Sequence, residues 1–459
     1  MSGSPPVAED GTQRPSVAIA GGGVAGLAAG IALAQLGWQA RVFERRPAEG
    51  VGADAGHTDT DDTSDDTSDA GAGIQMSPNA SRCLSQLDAL DRVRAAGVAP
   101  QAAVLRDGRS GSIVYRAPLA AAAEARWGAP YLHIHRADLV AALRDAARRA
   151  GVDLVAGTTV ERWSATGPGV TPQLASADGA TSPPGHAGPY DLLLIADGAG
   201  SRLRERLGPT EPPRFTGQTA WRALVPADTP GNTPGNTPEN TPQNKPGHAP
   251  GLAIPHDATV WAAPGRHVVT YRVRAGRMIN LVAVEERTRW TEEGWHIDGD
   301  PAEMRRVFAD MAPPVQGLMA AVRSVRFWGL YDRQQPKRWS DGAVAVIGDA
   351  CHPMLPFMAQ GAAMALEDAV ALARHVGARR GDALAPALAA WAGERGPRVA
   401  RVARTARENG VMFHRSDGLR RRLSHGLIAT VSRLAPALAA GQLDWLYGYD
   451  AVNGCPARG

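Results

Sequence analysis

Cysteine is scarce: Cys83, Cys351 and Cys455 are the three in 459 residues, far apart and at no metal-ligand spacing. That excludes a disulfide-stapled scaffold and a cysteine metal centre, and it fits a reduced, cytoplasmic compartment. No run of about twenty uncharged apolar residues occurs, so no membrane-spanning helix and no membrane partner are expected. Met1 to Pro15 is polar and lacks the apolar core of a secretion signal. Excess charge of one sign is missing too. A formal net charge of +3, with no basic stripe interleaved with aromatics, argues against nucleic acid as a partner. Arg420-Arg421-Arg422 reads as a solvated helix end. The length allows a large core in two intimately joined domains, and heavy alanine, arginine and glycine usage points to a GC-rich bacterial genome.

Two segments lack apolar residues almost entirely. Residues 54–70 hold seven aspartates among Thr, Ser, Gly and Ala, and residues 228–250 carry a Thr-Pro-Gly-Asn-like repeat of period four. Neither buries enough surface to offset its ordering entropy, so both are expected to be flexible low-complexity insertions. A lid or a partner tether is the functional alternative for each.

Three strand-turn-helix elements carry the chemistry. Ser16–Ala20 is a short apolar strand followed at once by Gly21-Gly22-Gly23-Val24-Ala25-Gly26 and a small-residue helix. A second strand, Gln39–Phe43, ends in Glu44. A lone GxGxxG is weak evidence, but strand before, helix after and an acid at the next strand end make it strong. Glycines let backbone amides approach a pyrophosphate, and Glu44 is placed to accept from ribose hydroxyls, which disfavours a 2′-phosphate. A solvated charge at a strand end is the other reading of Glu44. The second element is Asp191-Leu-Leu-Leu-Ile-Ala-Asp197-Gly198, again a buried strand into an acidic turn. In the third, Ala343–Ile347 runs into Gly348-Asp349-Ala350-Cys351-His352-Pro353, and Gly361 opens an alanine-rich helix with Glu367-Asp368. A carboxylate and a helix N-terminus there suit a polyhydroxylated, electron-accepting ligand; taken alone, the element is also an ordinary α/β turn.

The order GxGxxG with Glu44, then His135-Arg136-Ala137-Asp138-Leu139, then Asp197-Gly198, then Gly348-Asp349 resembles the single-component FAD aromatic hydroxylases, the group A flavoprotein monooxygenases. The likeness spans nearly the whole chain. It is strongest to the salicylate and 6-hydroxynicotinate 3-monooxygenase branch, through Gly348–Met354, Met358–Gly361 and Asp444-Trp-Leu-Tyr-Gly-Tyr-Asp450. It implies an α/β fold: a Rossmann-like FAD-binding domain (residues 1–100, 130–205 and 335–400) interleaved with an α+β substrate domain on a mostly antiparallel sheet (101–129 and 206–334). A C-terminal helical segment (401–459) follows. It also implies the reaction. NAD(P)H, as NADH or NADPH, reduces FAD, O2 adds to give a C4a-hydroperoxide, and one oxygen atom goes to an activated aromatic acid (hydroxy- or aminohydroxybenzoate-like, or hydroxy-heteroaromatic), with loss of CO2 if the attacked carbon bears the carboxylate. No second nicotinamide-binding Rossmann unit is present, in keeping with transient NAD(P)H binding. The chain is expected to be a monomer or homodimer, with no metal.

Position by position, the resemblance implies that Gly21, Gly23, Ala25 and Gly26 form the pyrophosphate loop, and that Glu44 and Arg45 contact the adenosine ribose. Arg136 reaches the cofactor, Val160 presents backbone to adenine, and Asp197 lies in the second cofactor turn. Asp349 holds the ribityl chain, Gly361 is a further cofactor contact, Ala362 presents backbone to the flavin pyrimidine end, and the Pro356 carbonyl lies near the reactive ring edge. In His267-Val-Val-Thr-Tyr271 the spacing matches the hydroxynicotinate enzyme, which makes Tyr271 the first choice for a substrate contact; a half-buried strand tyrosine is the alternative. His267 reads as a supporting residue. Arg222 is a candidate for a substrate carboxylate, or a surface arginine.

Two departures bear on substrate. Gln75 and Phe357 stand where the hydroxynicotinate enzyme has histidines, and neither an amide nor a phenyl takes a proton near neutral pH. The substrate then arrives ionised, or Tyr271 and water relay its proton, or its activating group is an amine. This argues against 6-hydroxynicotinate and for a hydroxy- or aminohydroxybenzoate. The rivals are another flavin oxidoreductase of the same fold and a non-catalytic FAD-binding redox sensor or scaffold. A halogenase is disfavoured because no Trp-x-Trp-x-Ile-Pro occurs.

Overall fold

Short apolar strands without polar alternation are buried on both faces, as a parallel sheet covered by helices requires. In the computed structural model they form a six-stranded sheet in the order β17 (Ser340–Asp341), β18 (Val344–Val346), β10 (Leu192–Ile195), β1 (Ser16–Ala20), β2 (Gln39–Glu44), β7 (Asp153–Ala156). All neighbours are parallel except the edge pair β17–β18. The structure describes residues 14–47, 73–167, 169–176, 188–227, 254–290, 297–415 and 441–454. The insertions expected at 54–70 and 228–250, the arginine run at 420–422 and Cys455 lie outside them. Each of the three strands read as entering a ligand turn (β1, β10 and β18) is a neighbour of the next, so their C-terminal turns emerge side by side at one sheet edge. Open α/β sheets bind ligands at that edge.

Helices α1 (Val24–Ala34) and α8 (Gly361–Val376) pack on each other, and α1 also meets α5 (Arg136–Arg149). The smaller helices α2 (Pro78–Gln86), α3 (Leu90–Ala96) and α4 (Ala121–Trp127) lie on the same half. Two antiparallel ribbons complete it: β3 (Gly73–Met76) with β6 (Leu132–His135), and β8 (Thr158–Thr166) with β9 (Gly169–Ser176).

The second sheet has eight strands in the order β15 (Asp298–Gly299), β16 (Val325–Asp332), β11 (Arg214–Pro226), β14 (Met278–Glu286), β13 (Arg266–Val273), β12 (Ala258–Ala263), β4 (Ala102–Asp107), β5 (Ile113–Pro118). It is antiparallel except at β4–β12. Side chains alternate across it. Trp221, Val268 and Ala283 bury one face with Met304 of α6 (Pro301–Val307) and Val315 of α7 (Pro313–Ala320). The opposite face meets the parallel-sheet half. The β13–β14 turn places two non-glycines left-handed, Arg274 (φ 51°) and Ala275 (φ 52°). The Ala275 N–H donates to the Ala96 carbonyl (3.0 Å), a tertiary bond that accounts for the shape.

A buried polar network ties together the helices of the parallel-sheet half. Arg395 of α9 (Leu384–Phe413) is fully buried and pairs with Glu367 (2.6 Å) and Asp368 (2.9 Å). Arg398 adds a second pair to Glu367 (2.7 Å), and Asn79 donates to the same carboxylate (2.7 Å). Asp368 in turn accepts from the Gly348 N–H (3.2 Å) and from His352 Nε2 (2.6 Å). Burial alone would raise the Asp368 carboxyl; His352 and Arg395 outweigh it and hold it at about 2. Glu367-Asp368 therefore positions the Gly348-Asp349 turn from behind instead of facing a ligand. The last described helix, α10 (Asp444–Tyr447), is fixed by Asp444 to Arg126 (2.7 Å) and Trp127 (2.8 Å).

Candidate active site

At the end of β1 the chain turns through Gly21, whose φ of 109° suits glycine and whose missing Cβ would run into the Ala196 carbonyl. A Cβ on Gly26 would overlap the Gly21 carbonyl oxygen, while one on Gly23 would meet nothing within 4 Å. The loop is thus tight against its own fold and open on one side. The first turn of α1 has no side-chain cap and no acidic residue, so its N–H groups are free to meet an anion, as are those opening α8. Glu44 accepts from the Gly22 N–H (2.7 Å) and the Arg46 N–H (2.9 Å), which leaves lone pairs on both oxygens for hydroxyl donors.

Gly348 (φ 59°) sits so close to α1 and α8 that a Cβ would lie 2.7 Å from the Ala25 methyl and 3.3 Å from that of Ala365. This brings Asp349 between the two helix starts, with Oδ1 3.7 Å from where a Gly361 Cβ would be. Asp349 is open to the cleft between buried Gly348 and Ala350. Its depth in the protein pushes its carboxyl up, against the opposing pull of His352 and Arg136. Asp197 is likewise open and raised by burial, with Ser201, Arg204 and Arg45 opposing. Arg45 is exposed at the cleft rim, Ala362 is half-buried in the first turn of α8, and Val160 is buried on β8 beside the end of β2. Uncapped helix starts, glycines that a Cβ would block and two open carboxylates fit a pyrophosphate joined to a polyhydroxyl chain, and so fit FAD.

The second sheet's inward face packs on Leu355 and Phe357 and leaves a half-covered strip that forms the floor of a candidate substrate chamber. On the inward face of the second sheet most residues are buried: His267, Val284, Ala220 and Trp328 in one row, Tyr271 and Asn280 in another. Between them Val269, Val282 and Arg222 lie in register and are only partly covered. On that half-open floor the Arg222 guanidinium lies 4.8 Å from the Trp328 ring centre. Burial pushes the Tyr271 hydroxyl well up despite Arg222, so it stays protonated and can donate. Pro356 is exposed to the cleft. Phe357 is buried, its ring against Gly410 and 5.5 Å from the His267 ring.

Gln75, on β3, has its amide oxygen taken by the Tyr131 hydroxyl (2.6 Å), and Tyr131 is itself in hydrogen-bond contact with Tyr447 of α10. The Gln75 amide therefore offers N–H donors, and its natural ligand partner is an anionic oxygen. Opposite Gln75 in the ribbon is His133, whose ring centre lies 4.5 Å from that of Tyr271. Burial drops its imidazole to about 3, so it is neutral, and Nε2 has no hydrogen-bond partner in the structure.

The structure thus brings Gln75, Arg222 and Tyr271 to one chamber and keeps His267 and Phe357 at its buried margin. Sequence reasoning gave no site role to Tyr131, His133, Asn280 or Tyr447. The alternation Leu132-His133-Ile134-His135 in a fully buried strand was a usable signal for His133; the others depend on contacts between distant segments.

The family described as FAD binding domain matches residues 14–406. The chain is 33% identical over 441 residues to a 3-amino-4-hydroxybenzoate 2-monooxygenase of Streptomyces platensis, covering 96% of this chain and 98% of the relative. It is 32% identical over 364 residues to a 6-hydroxynicotinate 3-monooxygenase of Bordetella bronchiseptica, covering 79% and 82%. Among solved structures it resembles Klebsiella pneumoniae HpxO complexed with FAD and uric acid, with a TM-score of 0.71, 26% identity and coverage of 93% and 97%.

Proposed function

We propose, from the premise that this chain belongs to the FAD binding domain family, that it is an FAD-dependent monooxygenase acting on an aromatic acid activated by a ring hydroxyl or amino group. NAD(P)H and O2 are its co-substrates. Bound FAD supplies the redox and oxygen-activating chemistry, and the chain's residues bind, orient and keep water out. The observation that carries the reading is the half-open floor around Arg222, set in an otherwise buried face and flanked by donors from Gln75 and Tyr271. Arg222 suits a carboxylate by charge-assisted hydrogen bonding. Gln75 N–H and the Tyr271 hydroxyl suit a phenolate oxygen, whose negative charge makes the ring more nucleophilic. Trp328, Leu330, Leu355 and Phe357 form a dry apolar side that protects a reactive oxygen donor from water.

For substrate we favour a 3-amino-4-hydroxybenzoate-like acid. The streptomycete relatives carry that activity in their names, and an amine activates the ring in addition to the hydroxyl. No described helix is long and apolar enough to cross a membrane, and the described cysteines Cys83 and Cys351 are free and buried; both agree with a cytoplasmic enzyme. The test is a panel of hydroxy- and aminobenzoates added to FAD-loaded protein. An acid of this class should accelerate NAD(P)H oxidation and yield a product with one added oxygen, with or without loss of CO2. A flavin that stays oxidised with every acid would favour a non-catalytic role.

A further inference from the structure

The chamber as described has donors for an anionic oxygen and no group to receive the proton that a phenol must lose. His133 is neutral but wedged against Tyr271, and Tyr271 is itself a donor. A path begins instead at His267. It lies on the inward face of β13 two residues from half-open Val269, about 7 Å along the strand. Its Nδ1 is 2.7 Å from Nε2 of His414, which follows α9 directly. His414 Nδ1 lies 3.2 Å from Glu286 Oε1 and 3.2 Å from the Gln218 amide. Both imidazoles are buried, whereas the Glu286 side chain is 57% exposed and so reaches water.

Hydrogen-bond chemistry dictates the direction. A carboxylate offers lone pairs only, so the proton in the His414–Glu286 bond sits on His414 Nδ1. The Gln218 amide then presents its oxygen to that N–H, since its two ends are interchangeable in placement. With Nδ1 protonated, Nε2 of neutral His414 is an acceptor, so His267 Nδ1 donates to it. That leaves His267 Nε2 bare, able to take a proton. Burial, and for His267 the neighbouring imidazole, lowers both rings, so both rest neutral; Glu286 opposes the shift at His414. The groups facing His414 are Glu286 from β14, His267 from β13, Gln218 from β11 and the Gly265 N–H, which donates to the His414 carbonyl (3.1 Å).

We propose that His414 and Glu286, acting through His267, form a proton outlet from the substrate chamber to bulk water. The inference rests on the monooxygenase reading. A ring hydroxyl bound over Val269 gives its proton to His267 Nε2, directly or through water. The His267 Nδ1 proton passes to His414 Nε2, the His414 Nδ1 proton passes to Glu286, and Glu286 releases it to solvent. Substrate is left as the oxyanion beside Gln75 and Tyr271, and when product takes a proton back the same bonds run in reverse and restore both tautomers. His414 and Glu286 are positioning and relay residues, since neither touches substrate.

The test is stopped-flow mixing of oxidised, FAD-loaded enzyme with 3-amino-4-hydroxybenzoate, 3-hydroxybenzoate or salicylate in weak buffer with an indicator dye. Flavin absorbance reports binding and the dye reports proton release. Wild type should release a proton in step with binding. His414→Gln should slow release at least tenfold with flavin perturbation still fast, and Glu286→Gln, a surface change that leaves the fold intact, should slow it several-fold. Release unchanged in both variants while wild type binds would overturn the outlet alone. No flavin response to any of these acids in wild type would overturn the monooxygenase reading, and the outlet with it.

Discussion

Gly73 is the position where a single methyl group tests how the ribbon β3–β6 meets the second sheet. It is not in the left-handed region, so alanine fits its backbone. The methyl, however, would lie 2.7 Å from Tyr271 Cε2 and Asn280 Cγ and 2.8 Å from the Tyr271 hydroxyl. Relaxed carbon contacts are about 3.5–4.0 Å, so the ring and the amide must retreat by roughly 1 Å. Overpacking of this kind costs about 1–3 kcal/mol. The lower chain entropy of unfolded alanine offsets about 0.4–1 kcal/mol of it. A net loss on the order of 1–2 kcal/mol predicts a Tm lower by a few degrees. The functional effect should be larger, because misplacing a reacting group by about 1 Å costs roughly 100-fold in rate. Gly73→Ala should therefore bind FAD, melt slightly early and turn over about 100-fold more slowly. Differential scanning fluorimetry, the flavin spectrum and substrate-stimulated NAD(P)H oxidation measure the three. Wild-type turnover with a lowered Tm would refute Tyr271 as a substrate contact, and wild-type behaviour in all three would refute the packing itself.

Three further changes probe other parts of the site. Gly26→Ala sets a methyl inside the Gly21 carbonyl and should yield protein that purifies colourless, while a yellow, FAD-saturated variant would contradict the pyrophosphate loop. Arg222→Gln removes a charge-assisted hydrogen bond worth about 1.5–3 kcal/mol, so KM for a benzoate should rise roughly 10- to 100-fold. The same variant should leave the matching phenol without a carboxylate unaffected; an equal loss for both compounds would place Arg222 outside the carboxylate site. The Asp368 carboxyl, held at about 2 by His352 and Arg395 against burial, contributes stability that is complete above its unfolded value of about 3.8 and lost as pH falls toward 2. Glu367, lowered by Arg398 and Arg395 against burial, adds in the same direction. The Tm should hold above pH 4 and drop steeply between pH 4 and 2, and a flat Tm through that window would contradict the network.

The fold was legible because its strands carry local signals. β1, β10 and β18 are apolar runs that end in glycine or aspartate turns, and each was placed within a residue or two of its observed span. The glycine loop was legible for the same reason: close backbone approach leaves a mark at every position. Strand β11 runs through a bulge at Gly217 that interrupts its pairing between Phe215 and Thr219, which local pattern does not mark. Glu367-Asp368 sits within the flavin motif, yet its partner Arg395 is some thirty positions on, and only the fold shows it turned inward. His414 ends a long helix with no motif around it. It joins His267 across 147 positions, a separation at which local pattern carries no information. Gln75 read as a loss of basicity relative to histidine. In the structure its amide oxygen accepts from the Tyr131 hydroxyl and its N–H groups are left for a ligand, which changes what it says about that ligand.

The chemistry performed over the half-open floor at Arg222 is addressed directly by one measurement. FAD-loaded protein is given NAD(P)H and 3-amino-4-hydroxybenzoate under isotopically labelled O2, and the product is weighed by mass spectrometry. Faster NAD(P)H oxidation and an aromatic product carrying one labelled oxygen atom are the expected result. Recovery of unlabelled, unchanged acid, from this compound and from other hydroxy- and aminobenzoates, with no acceleration of NAD(P)H oxidation, would contradict it.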